Sequence, residues 1–528
     1  MTQFKRNGSL TCTTIGITLI CCLSSVAIAE PPKDDTSRGR VIYNLDCTEY
    51  FRSTFGPNVP QTIDKFVEDH ATAGITELWI NVNAQRTNYR SDVWEAWWDG
   101  YDPSAGTDQP FFSGIAPGRI AGPLANDSQM FINMWELHEQ GCDYPKRMLE
   151  SARRNGIGAW ISLRMNDGHT PERPDHPCHS TIWKANPQWR LTSGYGLDYE
   201  QPEVRQHYLK LVREVCDRYD IDGLELDFQR FWLYFRPGRE HNGNKLMLNF
   251  MEQARAATRK AEQRLGHPVE LAVRVPGNPW TARRHGLDAV AWGRAGLVDL
   301  VVAGSFWFST NSDIPVETWK GLLKDTDVQV AVHLEASIDS GANGRRTMTH
   351  EEMRGILVGG LHRGADGVYF FNLFTGPYHR WPREDHHRLL RDAGSYDALC
   401  AGPRRHALTI TSPWSVGELA RDSQLPYTGT HGIFRLYTGP KPSDGQQAQV
   451  ELAVPDNQQL EVRLNGIRCP GSTIANTEHI KASGWEGAGL GSRQAFAVPP
   501  EAMSEGYNLV EAFAPQDITI KWVEISVK

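Results

Sequence analysis

Residues 221–235 read IDGLELDFQRFWLYF. Two carboxylates, Glu225 and Asp227, stand two apart in an apolar run with an arginine and aromatics directly behind them. In an extended strand alternate side chains share a face, so Glu225 and Asp227 point one way and Leu224, Leu226 and Phe228 the other. The apolar face packs against covering helices, and the acids point inward. A buried carboxylate without a partner is costly, so these two need a counter-ion or a task. Arg164 is a candidate partner. Two facing carboxyl groups are what glycosidic hydrolysis uses, one to protonate the leaving oxygen and one as nucleophile or base.

The elements that must hold such a pair recur along the chain. Eight apolar runs end near Asp46, Val82, Arg164, Phe228, Val275, Phe306, Glu335 and Asn372, with helical patterns between them. Pro202 opens one such helix, and its apolar positions repeat at helical spacing up to the fourth run. Continuous apolar strands alternating with helices imply a parallel sheet covered on its faces. Eight units imply a closed (β/α)8 barrel of the TIM type, with catalytic groups at the C-terminal ends of its strands. Two insertions, 84–140 and 166–198, follow strands two and three. Their aromatic- and His-rich stretches suit a substrate cleft.

The same rule places further groups on the rim. Strand one offers Asp46 and Glu49. Strand two offers Asn81, Asn83 and Arg86. Strand three offers Arg164, Asn166, Asp167 and His169. Arg230 follows strand four. Strand five offers Arg274 and Asn278, strand six Trp307 and Asp313, strand seven His333 and Glu335, and strand eight Asn372. Amides, carboxylates, arginines and tryptophan suit hydroxyl-rich rings. Asp227 on strand four and Glu335 on strand seven lie across the mouth from one another and are the preferred catalytic pair. Asp313, Glu225 and Asp167 are alternative partners for Asp227. The remaining substrate-binding candidates are Glu225, Arg164, Asn166, Asp167, His169, Arg230, Arg274, Trp307, Asp313, His333, Asn372 and Asn83. His169 and His333 could ligate a metal, but histidines beside a cleft more often donate hydrogen bonds. The sequence calls for no metal and no cofactor.

Beyond about residue 400 the pattern changes to short alternating strands with Gly, Asn and Pro turns, as in QVELAVP, LEVRLNG and ITIKWVEISV. That pattern predicts an antiparallel β-sandwich. It is expected to pack on the barrel; a carbohydrate-binding role is the alternative. The expected division is a signal peptide over 1–29, a barrel over 30–402 and a sandwich over 403–528. Lys5 and Arg6, an apolar stretch and Ala27-Ile28-Ala29 form a leader with cleavage after Ala29, which implies a secreted or periplasmic protein. A lipoprotein signal through Cys21 or Cys22 is disfavoured by the bulky residue before each. No other run is apolar enough for membrane insertion. The net charge of −8 and scattered basic residues argue against nucleic acid. Six cysteines follow the leader without a C-x-x-C pair, so neither zinc nor redox motifs are supported.

The stretch 197–228 resembles the glycosyl hydrolase-like family 10 proteins, a bacterial TIM-barrel group. The shared features are Leu197-Asp198, then Pro202-Glu203-Val204-Arg205, a helix, and Tyr219-Asp220-Ile221-Asp222-Gly223 leading into the acid-bearing strand. The resemblance implies a glycoside hydrolase fold and puts Asp227 in the place of the acid at the strand end. Strand four is also similar to the Asp-Gly-x-Asp-x-Asp-x-Glu motif of family 18 chitinases through Asp222, Gly223 and Asp227. Glu225 replaces an Asp there, and Gln229 stands where those enzymes carry the acid Glu, which argues against their substrate-assisted chemistry. The expected function is hydrolysis of a polysaccharide substrate. Arg164, Arg230, Arg236 and Arg274 could neutralise sulfate or uronate groups, or could simply pair with acids. The rival readings are a catalytically inactive carbohydrate-binding barrel and a polysaccharide lyase on the same scaffold.

Overall fold

The structure is a computed structural model, which describes residues 39–52, 56–120, 127–192, 195–305, 309–339, 345–374, 382–409, 424–454, 458–472 and 493–528. The expected leader and Trp307 lie outside the described residues. Eight parallel strands close into a barrel. They are β1 (Arg40–Leu45), β2 (Glu77–Asn81), β3 (Gly158–Arg164), β4 (Gly223–Asp227), β5 (Glu270–Pro276), β6 (Leu300–Gly304), β7 (Gln329–Glu335) and β8 (Gly367–Phe371). Each pairs with the next, and β8 pairs with β1. These are the eight apolar runs of the sequence. Their residues are buried almost throughout, as a parallel sheet covered on both faces requires.

Pairing register sorts the barrel interior into levels. At the N-terminal end Arg40 forms a polar plug, donating to Glu77, Glu270 and Gln329. Above it Trp79 and Trp160 stack at 4.3 Å between ring centroids. Gly223 makes room for them: a β-carbon there would sit 2.4 Å from the Trp160 ring. The C-terminal level carries Arg164, Asp227 and Arg274 side by side, in direct register on β3, β4 and β5. The indoles fill the middle of the barrel and separate the polar plug from the polar levels toward the mouth.

The helix before β4, Pro202–Arg218, has Pro in its first turn, where no amide hydrogen is needed. The helix before β5, Glu240–Leu265, ends at Gly266 with φ 79°. The insertions differ from the expected open cleft wall. Trp94 stacks on His207 at 4.2 Å, Trp98 on His138 at 5.1 Å, and His179 on Trp183 at 3.9 Å. Trp94, Trp97, Trp98, Trp183 and His179 are all buried. Burying such large faces stabilises the insertions themselves, so most of their aromatic content forms a packed cover.

After the barrel, two antiparallel sheets stack around their own apolar core. The sandwich packs on the barrel helix His350–His362. Gly355 allows close passage, since a β-carbon there would lie 2.1 Å from the Arg405 carbonyl oxygen. Arg405 bonds Glu524 through two nitrogens and approaches Glu352. The described residues from 39 onward belong to one compact unit.

Candidate active site

Asp227 ends β4 and is buried. Arg274 on the neighbouring strand grips it bidentately, Nε to Oδ1 at 2.9 Å and Nη2 to Oδ2 at 3.0 Å. The backbone amides of Gln229 and Arg230 also donate to Oδ1, at 3.0 and 3.1 Å. The counter-ion is thus Arg274, not the expected Arg164. Arg164 lies in register with Asp227 but turns toward β1, where it pairs with Asp46, and reaches Asp167 at 3.4 Å. Burial alone would raise Asp46 and Asp167. For Asp46, Arg164 and Arg230 outweigh it; for Asp167, His169 and the same two arginines do, so both acids are held below the usual carboxylate range.

Asp167, His169 and Arg230 form a chain across the rim. Arg230 Nη2 donates to His169 Nε2 at 2.9 Å, and Nδ1 faces Asp167 at 2.8 and 2.9 Å. Guanidinium has no acceptor, so Nε2 is the bare nitrogen and Nδ1 carries the hydrogen. Burial, with Arg230 and Arg164 nearby, keeps His169 below its ordinary value despite Asp167. Burial, then the charge of Arg164, lowers Arg230 to about 10. Glu335 ends β7, fully buried, and its charge acts on Arg230. Thr310 fixes its backbone, accepting from the Glu335 amide at 2.8 Å and donating to its carbonyl at 2.7 Å.

Glu225 lies one level deeper than Asp227. It accepts from Asn44 Nδ2 at 3.0 Å and from the Tyr369 hydroxyl at 2.8 Å. Burial and the neighbouring Asp227 push it up to about 8. That depth makes Glu225 a support beneath the mouth, not a contact for substrate. His333 is similar: fully buried, its Nε2 faces Arg274 Nη1 at 3.3 Å, and burial with that cation drives it well below its ordinary value.

Three expected substrate contacts are framework. Asn83 spends its amide on the backbone of Ala84 and Arg164, clamping β2 to β3. Asn166 does the same for Leu197 and Leu233. Asp313 lies at the seam with the sandwich, bonded by Arg363 at 2.5 Å, Arg435 at 2.6 Å and the Tyr507 hydroxyl at 3.1 Å. The loop after β6 is long enough to carry it off the mouth. Asn372 does stand at the rim, at φ 51°, and its Oδ1 has no hydrogen-bond partner among the described residues. Gln229 Oε1 is likewise buried without one, while its Nε2 holds the Gly304 carbonyl at 3.1 Å.

Sequence reasoning missed Asn44, Tyr369 and Phe371 as supports of the acids. Phe371 lies under the Arg274 guanidinium at 3.9 Å. Period-two alternation along β1 and β8 would have found all three. It also missed Phe231 and Tyr195, whose role depends on loop geometry. Among the described residues, no group of three or more His, Cys, Asp or Glu is placed to hold a metal ion. No described helix is long and apolar enough to cross a membrane.

No known family profile matches the chain. It is similar to the glycosyl hydrolase DigH of Escherichia coli K12, 23% identical over an alignment of 239 residues taking in 36% of this chain and 53% of that one. DigH of Shigella flexneri gives the same figures. The chain spans about half the length of these curated relatives. Among solved structures it aligns with α-L-fucosidase isoenzyme 2 from Paenibacillus thiaminolyticus, at 14% identity and TM-score 0.40, over 70% of this chain and 51% of that one. A maltogenic α-amylase from Thermotoga neapolitana aligns at 10% identity and TM-score 0.34, over 90% and 98%. At that level of superposition the barrel assignment rests on its own strand pairing.

Proposed function

We propose that the protein is an exported glycoside hydrolase that cleaves a polysaccharide with Asp227 and Glu335. The observation carrying this is the charged layer at the C-terminal mouth, where a bidentate Asp227–Arg274 pair shares the rim with Glu335 and with buried amide oxygens of Asn372 and Gln229 that have no partner among the described residues. Buried polar atoms of that kind call for hydroxyl donors. The similarity to a glycosyl hydrolase supports the same reading. The leader-like residues 1–29 support export.

The hydrogen bonds support one division of roles. Asp227 accepts four, two of them from a guanidinium. With both of its oxygens taken by donors, Asp227 is read as the group that supplies the negative charge facing the developing oxocarbenium ion, as nucleophile or as base for water. Glu335 is then the acid that protonates the leaving oxygen. Arg164 and Arg274 are each committed to a carboxylate. They position acids and do not by themselves demand an anionic substrate.

The test is to incubate the mature protein with neutral, uronic and sulfated polysaccharides and measure new reducing ends. Release on one class supports the hydrolase. Binding in affinity electrophoresis without release would favour an inert binding barrel, and an unsaturated product a lyase.

A further inference from the structure

Phe231 is held at φ 66°, in the left-handed region. Bulky side chains rarely adopt it, because the β-carbon crowds the neighbouring carbonyl. Such strain persists only where the surroundings enforce it, and it gathers at ligand-binding positions. The enforcement is visible here. The Phe231 ring lies nearly parallel to Tyr195, 5.7 Å between centroids and 15° between planes, and meets His169 edge-on at 4.9 Å. His169 and Tyr195 stand at the two ends of the 166–198 insertion and Phe231 in the loop after β4, and particular residues bring these stretches together. Asn166 bonds Leu197 and Leu233, which flank Tyr195 and Phe231 in the chain. Gly168 has no β-carbon where one would come within 2.9 Å of the Tyr195 backbone, and Gly196 leaves room for the Asn166 amide.

The position of the ring follows from its neighbours. Arg230 donates its amide to Asp227 and its guanidinium to His169, and Phe231 is the next residue. Phe231 and Tyr195 are only half-buried in a rim whose charged groups are buried, and His169 keeps a side chain 33% exposed. The Phe231 and Tyr195 rings thus offer flat apolar surface at the loop that leaves Asp227, with a polar imidazole at its edge and the Arg230 guanidinium 5.9 Å from the Phe231 ring centre. Pyranose rings present an apolar face of C–H bonds bordered by hydroxyls, which matches that combination.

We propose that Phe231, with Tyr195 and His169, forms a stacking platform that holds one sugar ring of the substrate beside Asp227. Phe231 is a binding residue in this assignment and takes no part in proton transfer. The assignment rests on the reading of the barrel mouth as a carbohydrate site.

The experiment compares wild type with Phe231→Ala, Phe231→Gly and Phe231→Tyr on whichever polysaccharide of the neutral, uronic and sulfated panel the wild type cleaves or retains. Reducing-end kinetics and affinity electrophoresis on the same polysaccharide are both read. The platform predicts at least a ten-fold rise in KM and a matching loss of retardation in Phe231→Ala and Phe231→Gly. It predicts kcat within about three-fold of wild type and near-normal behaviour in Phe231→Tyr. Phe231→Gly serves as the folding control. It relieves the backbone, so it should melt above Phe231→Ala while binding no better. KM and retardation within two-fold of wild type in both truncations would overturn the platform. Retardation without turnover in the wild type, lost in both truncations, would overturn the hydrolase and leave the platform standing. Turnover by the wild type with intact binding in the truncations would do the reverse.

Discussion

Replacing Arg274 with Met keeps much of the side chain's length but leaves Asp227 buried without its counter-ion. Arg274 is 0% and Asp227 2% exposed at the side chain, so solvent cannot take over the charge. Removing one partner of a buried pair typically costs about 3–5 kcal/mol. The guanidinium also sits on Phe371 at 3.9 Å, a contact worth up to about 2 kcal/mol when desolvated. Two backbone amides still reach Asp227 and moderate the loss. We therefore expect Arg274→Met to destabilise the barrel by about 3–5 kcal/mol. The assay is urea unfolding followed by tryptophan fluorescence, because Trp79 and Trp160 lie in the same barrel interior below the pair. A second variant isolates the cause: Asp227→Leu with Arg274→Met removes both charges and should recover at least half of the lost stability. A single variant within about 1 kcal/mol of wild type, or a double variant no better than the single, would refute the view that Asp227 depends on Arg274.

Other consequences are testable in the same way. Glu225 is raised to about 8 and holds a proton in the folded state that the unfolded chain releases above about 4.5. Its contribution is full below that lower value and is lost as pH rises toward 8, at about 1 kcal/mol per pH unit. Glu225→Gln should flatten the fall in thermal stability between pH 5 and 8; an unchanged slope would contradict the assignment. His70 and His406 are kept neutral by burial, lowered to about 4 and about 3. Their contribution is present above about 6.5 and lost as pH falls toward those values, so wild-type melting temperature should drop between pH 6 and 4, and by less in a variant with both replaced by Gln. Gly223→Val must displace the Trp160 ring and should cost about 3 kcal/mol or more in urea, beyond ordinary overpacking. Asp313→Asn weakens the bonds to Arg363 and Arg435 and should speed protease cleavage between barrel and sandwich while leaving kcat unchanged.

The barrel was legible because parallel strands buried on both faces must be continuously apolar, and polar exceptions such as Glu225 and Asp227 stand out against them. Alternation also placed Arg164, Asp227 and Arg274 on the inside. It could not say which arginine would hold Asp227, because that choice depends on where each guanidinium turns once the strands are in register. Asn83 and Asn166 look like sugar ligands in sequence, yet an asparagine amide matches backbone groups equally well, and at tight loop crossings the backbone claims it. Asp313 was misplaced because its loop leaves the mouth for the sandwich. The tryptophans of the first insertion were assigned to a cleft, but their burial is what gives that insertion a core. Phe231 carries no sequence signal, since its left-handed backbone is imposed by Asn166, Gly168 and Gly196 from other segments.

The most direct test of the central claim compares Asp227→Asn and Glu335→Gln on two substrates: the cleaved polysaccharide and the dinitrophenyl glycoside of its sugar. Dinitrophenolate leaves without a proton, so it separates the two roles. We predict losses of about 10²–10⁴-fold or more for both variants on the polysaccharide. On the dinitrophenyl glycoside, Glu335→Gln should keep most of its ability to break the glycosidic bond, and Asp227→Asn should not. Wild-type release of reducing ends by either variant on the polysaccharide would contradict the account.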